Sequence, residues 1–291
     1  MVDMISVFKS PEGEAKSLAA YEYALSHWPV SYEELDLPTP FGTTHIIDSG
    51  PTSGKPILLL HGQDSCAISW IYNVAELSRS FRIFALDTIG DIGKSKPTCL
   101  PQSREEYAKW MLEVFDQLEI EKADLIGHSY GGFLASNFAL AFPGRVNRIV
   151  LLSPGIPNFA PPTLQWANYG MPMMLLPSRL TIKRFISGIS MKGYSKEDPV
   201  HEQMIIGIMN IRKVSFMRPV FIEEEFKRMV MPILLMIGDH EIMYEPRKAL
   251  DSATRLIPGL QAELIPNANH MLNRDQAEII NARILQFLME D

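Results

Sequence analysis

Apolar residues in this chain fall into two alternating patterns. Residues 55–62, 81–87, 123–127 and 148–153 each centre on an uninterrupted apolar run, the signature of a strand buried on both faces of a mostly parallel sheet. Helix-length segments at 70–78, 104–118 and 132–142 separate them. Strands alternating with helices predict an α/β doubly wound sheet with right-handed crossovers and helices on both faces. In such a sheet, chemistry gathers at the carboxyl ends of the strands.

The flanks add detail. Residues 12–28 place Ala15, Leu18, Ala19, Tyr21, Ala24, Leu25 and Trp28 at helical spacing, and Pro29 ends the helix. Residues 32–37 and 43–47 alternate polar and apolar positions around a Pro/Gly turn at 38–42, which predicts an antiparallel edge hairpin. The βα rhythm stops at Pro154 and resumes only at 232–237. The intervening stretch holds nine of the sixteen methionines, with Trp166, Tyr169, Phe185, Tyr194 and Phe216 between them. An insertion of that length predicts a small helical cap, in which flexible methionine either lines an adaptable apolar pocket or fills an irregular core. The expected organisation is a helical extension at 1–29, a core in two parts at 30–155 and 231–291, and the cap at 156–230. The acidic run Glu223-Glu224-Glu225 reads as a solvated helix face. Beyond it follow a helix at 245–257, a strand at 261–265 and a final helix at 274–289.

Composition narrows the function. A chain of 291 residues with 46% hydrophobic residues supports one large α/β domain with an insertion. Its formal net charge of −7, with basic residues spread along the chain, lacks the electrostatic footprint of a nucleic-acid binder. The first residues carry scattered charges and no apolar signal segment, and the longest apolar runs are far shorter than a membrane span. Cys66 and Cys99 are too few for a disulfide framework. A cytoplasmic protein with no integral membrane association is expected.

The candidate chemistry centres on Gly127-His128-Ser129-Tyr130-Gly131, which lies between an apolar strand and a helical pattern. Gly-x-Ser-x-Gly in that context predicts a nucleophile elbow, with Ser129 as nucleophile. A serine hydroxyl needs a base and a third group to orient it. Of seven histidines, His27, His45 and His201 lie away from strand ends, and His61 and His128 read as turn braces. His270, in the loop after the last strand, remains as the base, in the chain order Ser, acid, His. The acid is expected just past the strand at 233–237, where Asp239 and Glu241 compete. Either could accept from the imidazole. An oxyanion needs preorganised donors, expected at the backbone N–H of Tyr130 and, from the loop after His61-Gly62, of Gln63. Asp87 reads as a structural carboxylate beside the elbow, and Cys66 and Trp70 as core. No Cys/His spacing suggests a metal, and no glycine-rich phosphate loop follows a strand, so no cofactor is expected.

Taken together, His61-Gly62, residues 87–95 (DTIGDIGKS), residues 127–132 (GHSYGG), Gly238-Asp239-His240-Glu241 and Asn269-His270 resemble the α/β-hydrolase superfamily across roughly residues 30–290. The N-terminal Phe8-Lys9-Ser10-Pro11-Glu12-Gly13 and the acid segment resemble bacterial carboxylesterases of the naproxen (profen) esterase type. The resemblance implies Glu241 as the acid, three residues past the glycine that closes its strand. Aspartate is usual there, so glutamate is a departure, and Asp239 would then serve the turn. It also implies hydrolysis of small-molecule carboxylic esters through an acyl-enzyme, and the Met-rich, aromatic cap predicts an apolar acyl or aryl substrate. Thioester, lactone or carbon–carbon bond hydrolysis, perhydrolysis and a hydrolase-derived ligand receptor are the alternatives. Dehalogenases and epoxide hydrolases of the fold resemble this plan with Asp in place of the nucleophile.

Overall fold

The computed structural model describes residues 5–156, 159–212 and 221–290. Phe216, one of the aromatics expected in the cap, and Met217 lie outside the described residues. Among the described residues, nine strands form one sheet: β1 (Tyr32–Thr39), β2 (Gly42–Ser49), β3 (Lys55–Leu60), β4 (Phe81–Leu86), β5 (Lys96–Pro97), β6 (Ala123–His128), β7 (Val146–Leu152), β8 (Ile233–Gly238) and β9 (Gln261–Ile265). The spatial order is β1-β2-β4-β3-β6-β7-β8-β9, with β5 paired to β2. Strands β3, β4 and β6 to β9 run parallel, while β1 and β2 form the antiparallel hairpin at one edge. Strand β1 runs on through Pro38 to pair Thr39 with Gly42, so the turn is tighter than the sequence suggests. An edge strand tolerates a proline because its missing donor can face away from the ladder.

Helices cover both faces. They are α1 (Pro11–Leu25), α2 (Val74–Leu77), α3 (Arg104–Gln117), α4 (Tyr130–Ala141), α5 (Leu164–Leu175), α6 (Arg179–Ile189), α7 (Pro199–Asn210), α8 (Glu223–Phe226), α9 (Pro246–Leu256), α10 (Leu272–Asp275) and α11 (Ala277–Met289). The continuous apolar strands explain the layering. Leu58, Leu60, Leu125, Leu151 and Leu235 face one core with α3, α4 and α9; Ile57, Leu59, Ile126, Val150 and Leu234 face the other with α1, α2 and α11. Period-two alternation of buried residues thus feeds two cores from the same strands.

Helices α5 to α7 leave the sheet between β7 and β8, and their apolar faces join the second core through Met173, Ile182, Phe185, Ile186, Met204 and Ile205. The N-terminal segment is strapped to α7: Lys9 N–H donates to the Asn210 carbonyl (2.8 Å) and Arg212 N–H to that of Val7 (2.7 Å).

Two predicted helices differ from expectation. Residues 70–78 are not one helix but a 3₁₀ segment, Ala67–Tyr72, followed by the single turn α2. At the break, the Asn73 amide donates to Asn281 Oδ1 (2.7 Å) and the Asn273 carbonyl (3.1 Å), so tertiary bonds override local propensity. The final helix is interrupted at Gln276 (φ −128°, ψ 46°), whose amide donates to the Asn267 carbonyl (3.0 Å). The Glu223–Glu225 run also departs from a plain solvated face, since Glu225 pairs with Arg104 at 2.8 Å.

Candidate active site

Ser129 sits between the last residue of β6 and the first of α4, with φ 50° and ψ −113°, outside the regions that L-residues favour. The surrounding backbone holds it there. Ser129 N–H donates to the Leu152 carbonyl (2.9 Å), while its own carbonyl accepts from Gly132 N–H (2.9 Å) and Gly155 N–H (2.8 Å). A side chain at position 131 would put its Cβ 2.0 Å from the Leu60 carbonyl oxygen, so the sharp turn requires glycine there. The β3 loop also comes near: a Cβ on Gly62 would meet the Ser129 Cβ at 3.2 Å. Gly62 and Gln63 line the same cavity as Ser129, and Tyr130 begins the helix behind it.

The β3 loop is fixed by groups from the β4 loop. His61 Nδ1 donates to the Gly62 carbonyl (2.7 Å), and its Nε2 accepts from Thr88 N–H (2.9 Å), which sets the tautomer. Burial lowers the His61 pKa, keeping the ring neutral. Asp87 accepts from Ala67 N–H (2.7 Å) and Lys94 N–H (2.7 Å), bracing this loop rather than the elbow itself. Asp91 accepts from Asp64 N–H (3.1 Å) and Ile92 N–H (2.8 Å). Burial, with the Asp64 charge adding to it, pushes the Asp91 carboxyl well above the usual range.

His270 lies 4% exposed, and its Nδ1 donates to Glu241 Oε2 at 2.8 Å. The other Glu241 oxygen accepts from Met243 N–H (2.8 Å), which orients a carboxylate whose side chain is wholly buried. Asp239 turns elsewhere, to His240 Nδ1 (2.6 Å) and Ala268 N–H (3.3 Å). Of the two competing carboxylates, Glu241 is the one in contact with His270. His128 packs against His270 with ring centroids 5.1 Å apart and donates from Nε2 to the His270 carbonyl (2.9 Å). Burial first, and the neighbouring His270 charge second, lower the His128 pKa to about 3.

Sequence reasoning did not single out the groups that hold the His270 loop. Asn269 Oδ1 accepts from His270 N–H (2.7 Å), its amide donates to the Gly188 carbonyl (2.9 Å), and Met271 N–H donates to the Ile189 carbonyl (3.0 Å). Asp275 accepts from Asn269 N–H (3.0 Å), Met191 N–H (2.9 Å) and the Ser190 hydroxyl (2.5 Å). Arg274 bridges the Ser190 hydroxyl (2.8 Å) and Asp198 (2.8 Å), and Tyr72 donates to the same carboxylate (2.7 Å). The end of α6 and the His270 loop are thus one hydrogen-bonded unit. In the sequence Asn269 is marked only as the neighbour of His270, and Arg274 and Asp198, 76 residues apart, leave no local signal.

Ser129, His270 and Gln63 line one cavity of about 360 Å³, walled by Trp166, Met173, Phe185, Met204 and Met243. Cys66 and Trp70 are fully buried and lie outside that lining. Among the described residues, no group of three or more His, Cys, Asp or Glu is gathered as metal ligands would be. No helix among them is long and apolar enough to cross a membrane.

A family profile described as alpha/beta hydrolase fold matches residues 55–176. The sheet, the elbow and the similarity along the whole chain agree, and the chain belongs to the α/β-hydrolase family. Within it, carboxylesterase YbfK of Bacillus subtilis is 36% identical over 290 residues, covering 97% of this chain and 96% of that protein. The crystal structure of naproxen esterase from Bacillus subtilis superposes with a TM-score of 0.89 at 34% identity, covering 96% of this chain and 99% of that one. That of carboxylesterase CesB (YbfK) gives 0.88 at 35% identity over the same shares.

Proposed function

We propose that the protein is a serine carboxylesterase that hydrolyses apolar acyl or aryl carboxylic esters through an acyl-enzyme. Relatives named carboxylesterase support the reaction class. The observation that carries the mechanism is the buried His270–Glu241 bond of 2.8 Å, with His270 lining the same cavity as Ser129.

In this reading Nδ1–H on Glu241 leaves His270 Nε2 as the base. It takes the Ser129 proton as Oγ attacks the ester carbonyl, and returns it to the departing alcohol. Glu241 stabilises the imidazolium formed in between. The backbone N–H groups of Tyr130, at a helix N-terminus, and of Gln63, which lines the same cavity as Ser129, are assigned as the donors to the developing oxyanion. Water then attacks the acyl-enzyme with His270 again as base. The helical insertion at 156–230 acts as a cap, and its Trp, Phe and Met side chains select an apolar substituent.

The test is turnover of a short-chain nitrophenyl ester by the wild type and Ser129→Ala. A burst of nitrophenolate followed by steady turnover, lost in Ser129→Ala, is expected. Full activity in the variant would refute the mechanism.

A further inference from the structure

The outer side of α5 and α6 carries large apolar side chains in water. Leu164, Met171 and Leu175 fall at helical spacing along α5, and Met174, Leu176 and Leu180 cluster around the turn into α6. They are between 53% and 87% exposed. Single exposed apolar residues are ordinary, but six on one helical hairpin form a patch of the kind that marks an interaction site.

Charge says what kind. Residues 159–196 contain Arg179, Lys183, Arg184, Lys192 and Lys196 and no Asp or Glu, in a chain whose formal net charge is −7. Lys183 and Arg184 lie over the rings of Tyr194 and Tyr169, at 4.5 and 5.8 Å from the centroids. The acids that follow the segment are engaged: Glu197 by the Ser195 hydroxyl, Asp198 by Arg274, and Glu202 by Arg179 and the Tyr194 hydroxyl. Apolar side chains rimmed by cations match an anionic lipid surface, where the former enter the headgroup boundary and the latter meet phosphates. A second copy of the chain fits poorly. A two-fold contact would set this cationic face against itself.

The same hairpin reaches the cavity. Met174 is both 55% exposed and part of the cavity lining, beside Trp166, Met173 and Phe185 of the same two helices. The geometry points to α5–α6 as a docking surface for anionic lipid membranes, peripheral and reversible, with the cavity mouth held at the lipid boundary. The docking stands independently of the esterase reading.

Vesicle sedimentation of the full chain tests it without any activity readout. Phosphatidylcholine vesicles containing phosphatidylglycerol should bind on the order of a hundredfold more tightly than phosphatidylcholine alone, and high salt should remove the difference. Leu175→Ser/Leu176→Ser should weaken binding about tenfold or more, and Lys183→Glu/Arg184→Glu should abolish the preference for anionic lipid. Both pairs lie outside the cavity lining, so turnover of a soluble ester should persist. Equal binding to neutral and anionic vesicles, or none to either, overturns the proposal. So does a dimer in sedimentation equilibrium that the Leu175→Ser/Leu176→Ser variant dissolves, since the face would then belong to a second copy.

Discussion

Replacing Arg274 with methionine removes one buried charge while keeping most of the side-chain volume. Arg274 and Asp198 are 7% and 10% exposed at their side chains and 2.8 Å apart, and the arginine also donates to the Ser190 hydroxyl. Breaking a buried pair by deleting one partner typically costs ~3–5 kcal/mol, because the other charge stays desolvated. Asp198 keeps donors from the Tyr72 hydroxyl (2.7 Å) and Val200 N–H (3.1 Å) after the change, so the lower end, about 3 kcal/mol, is expected. Urea unfolding at neutral pH measures it as a fall in midpoint with the slope unchanged. Adding Asp198→Asn should recover part of the loss, because no unpaired charge then remains.

The pH dependence has a definite sign. Burial works to raise the Asp198 pKa, but His201, Tyr72 and Arg274 together hold it below the ordinary carboxylate range. A depressed carboxylate contributes stability that is complete above its unfolded pKa of about 3.9 and declines as pH falls through the lower folded value. The wild-type advantage over Arg274→Met should therefore be level at neutral pH and shrink in acid. A loss below about 1 kcal/mol at neutral pH, the range of exposed pairs, would refute this account of the cluster.

Further outcomes follow from the site. Glu241→Gln should lower kcat by on the order of a thousandfold or more while leaving the fold intact, whereas Asp239→Ala should change it less than about tenfold; steady-state kinetics with a nitrophenyl ester separate them. His128, with its pKa at about 3, should stay neutral wherever the enzyme is assayed, and an imidazole NMR midpoint above 5 would contradict this. Its preference for the neutral ring contributes stability that is complete above the unfolded histidine value of about 6.5 and is lost as pH falls toward 3. Gly131→Ala should fail to give folded protein by circular dichroism, because its Cβ would lie 2.0 Å from the Leu60 carbonyl oxygen.

Some of this was legible in the sequence. Uninterrupted apolar runs reported buried parallel strands because burial on both faces leaves no polar positions to interrupt them, and Gly-x-Ser-x-Gly reported the sharp turn because only glycine allows that approach. Helix boundaries near 70–78 and 276 were not legible, since Asn73 and Gln276 break the helices through bonds to distant loops. Asp239 and Glu241 sit two residues apart on one turn, and composition gives no reason to prefer either; the path of the turn turns one toward His240 and the other toward His270. The ties from Asn269, Arg274 and Asp275 to α6 were invisible for the same reason: they join segments about 80 residues apart.

Ser129 is the proposed nucleophile. Diethyl nitrophenyl phosphate probes that role, because attack by a serine Oγ displaces nitrophenolate and leaves a stable diethylphosphoryl ester. Peptide mass spectrometry after treatment should find one adduct per chain, on Ser129, with one equivalent of nitrophenolate released and ester turnover lost in proportion. An adduct on another residue, or complete inactivation with Ser129 unmodified, would rule out Ser129 as the nucleophile.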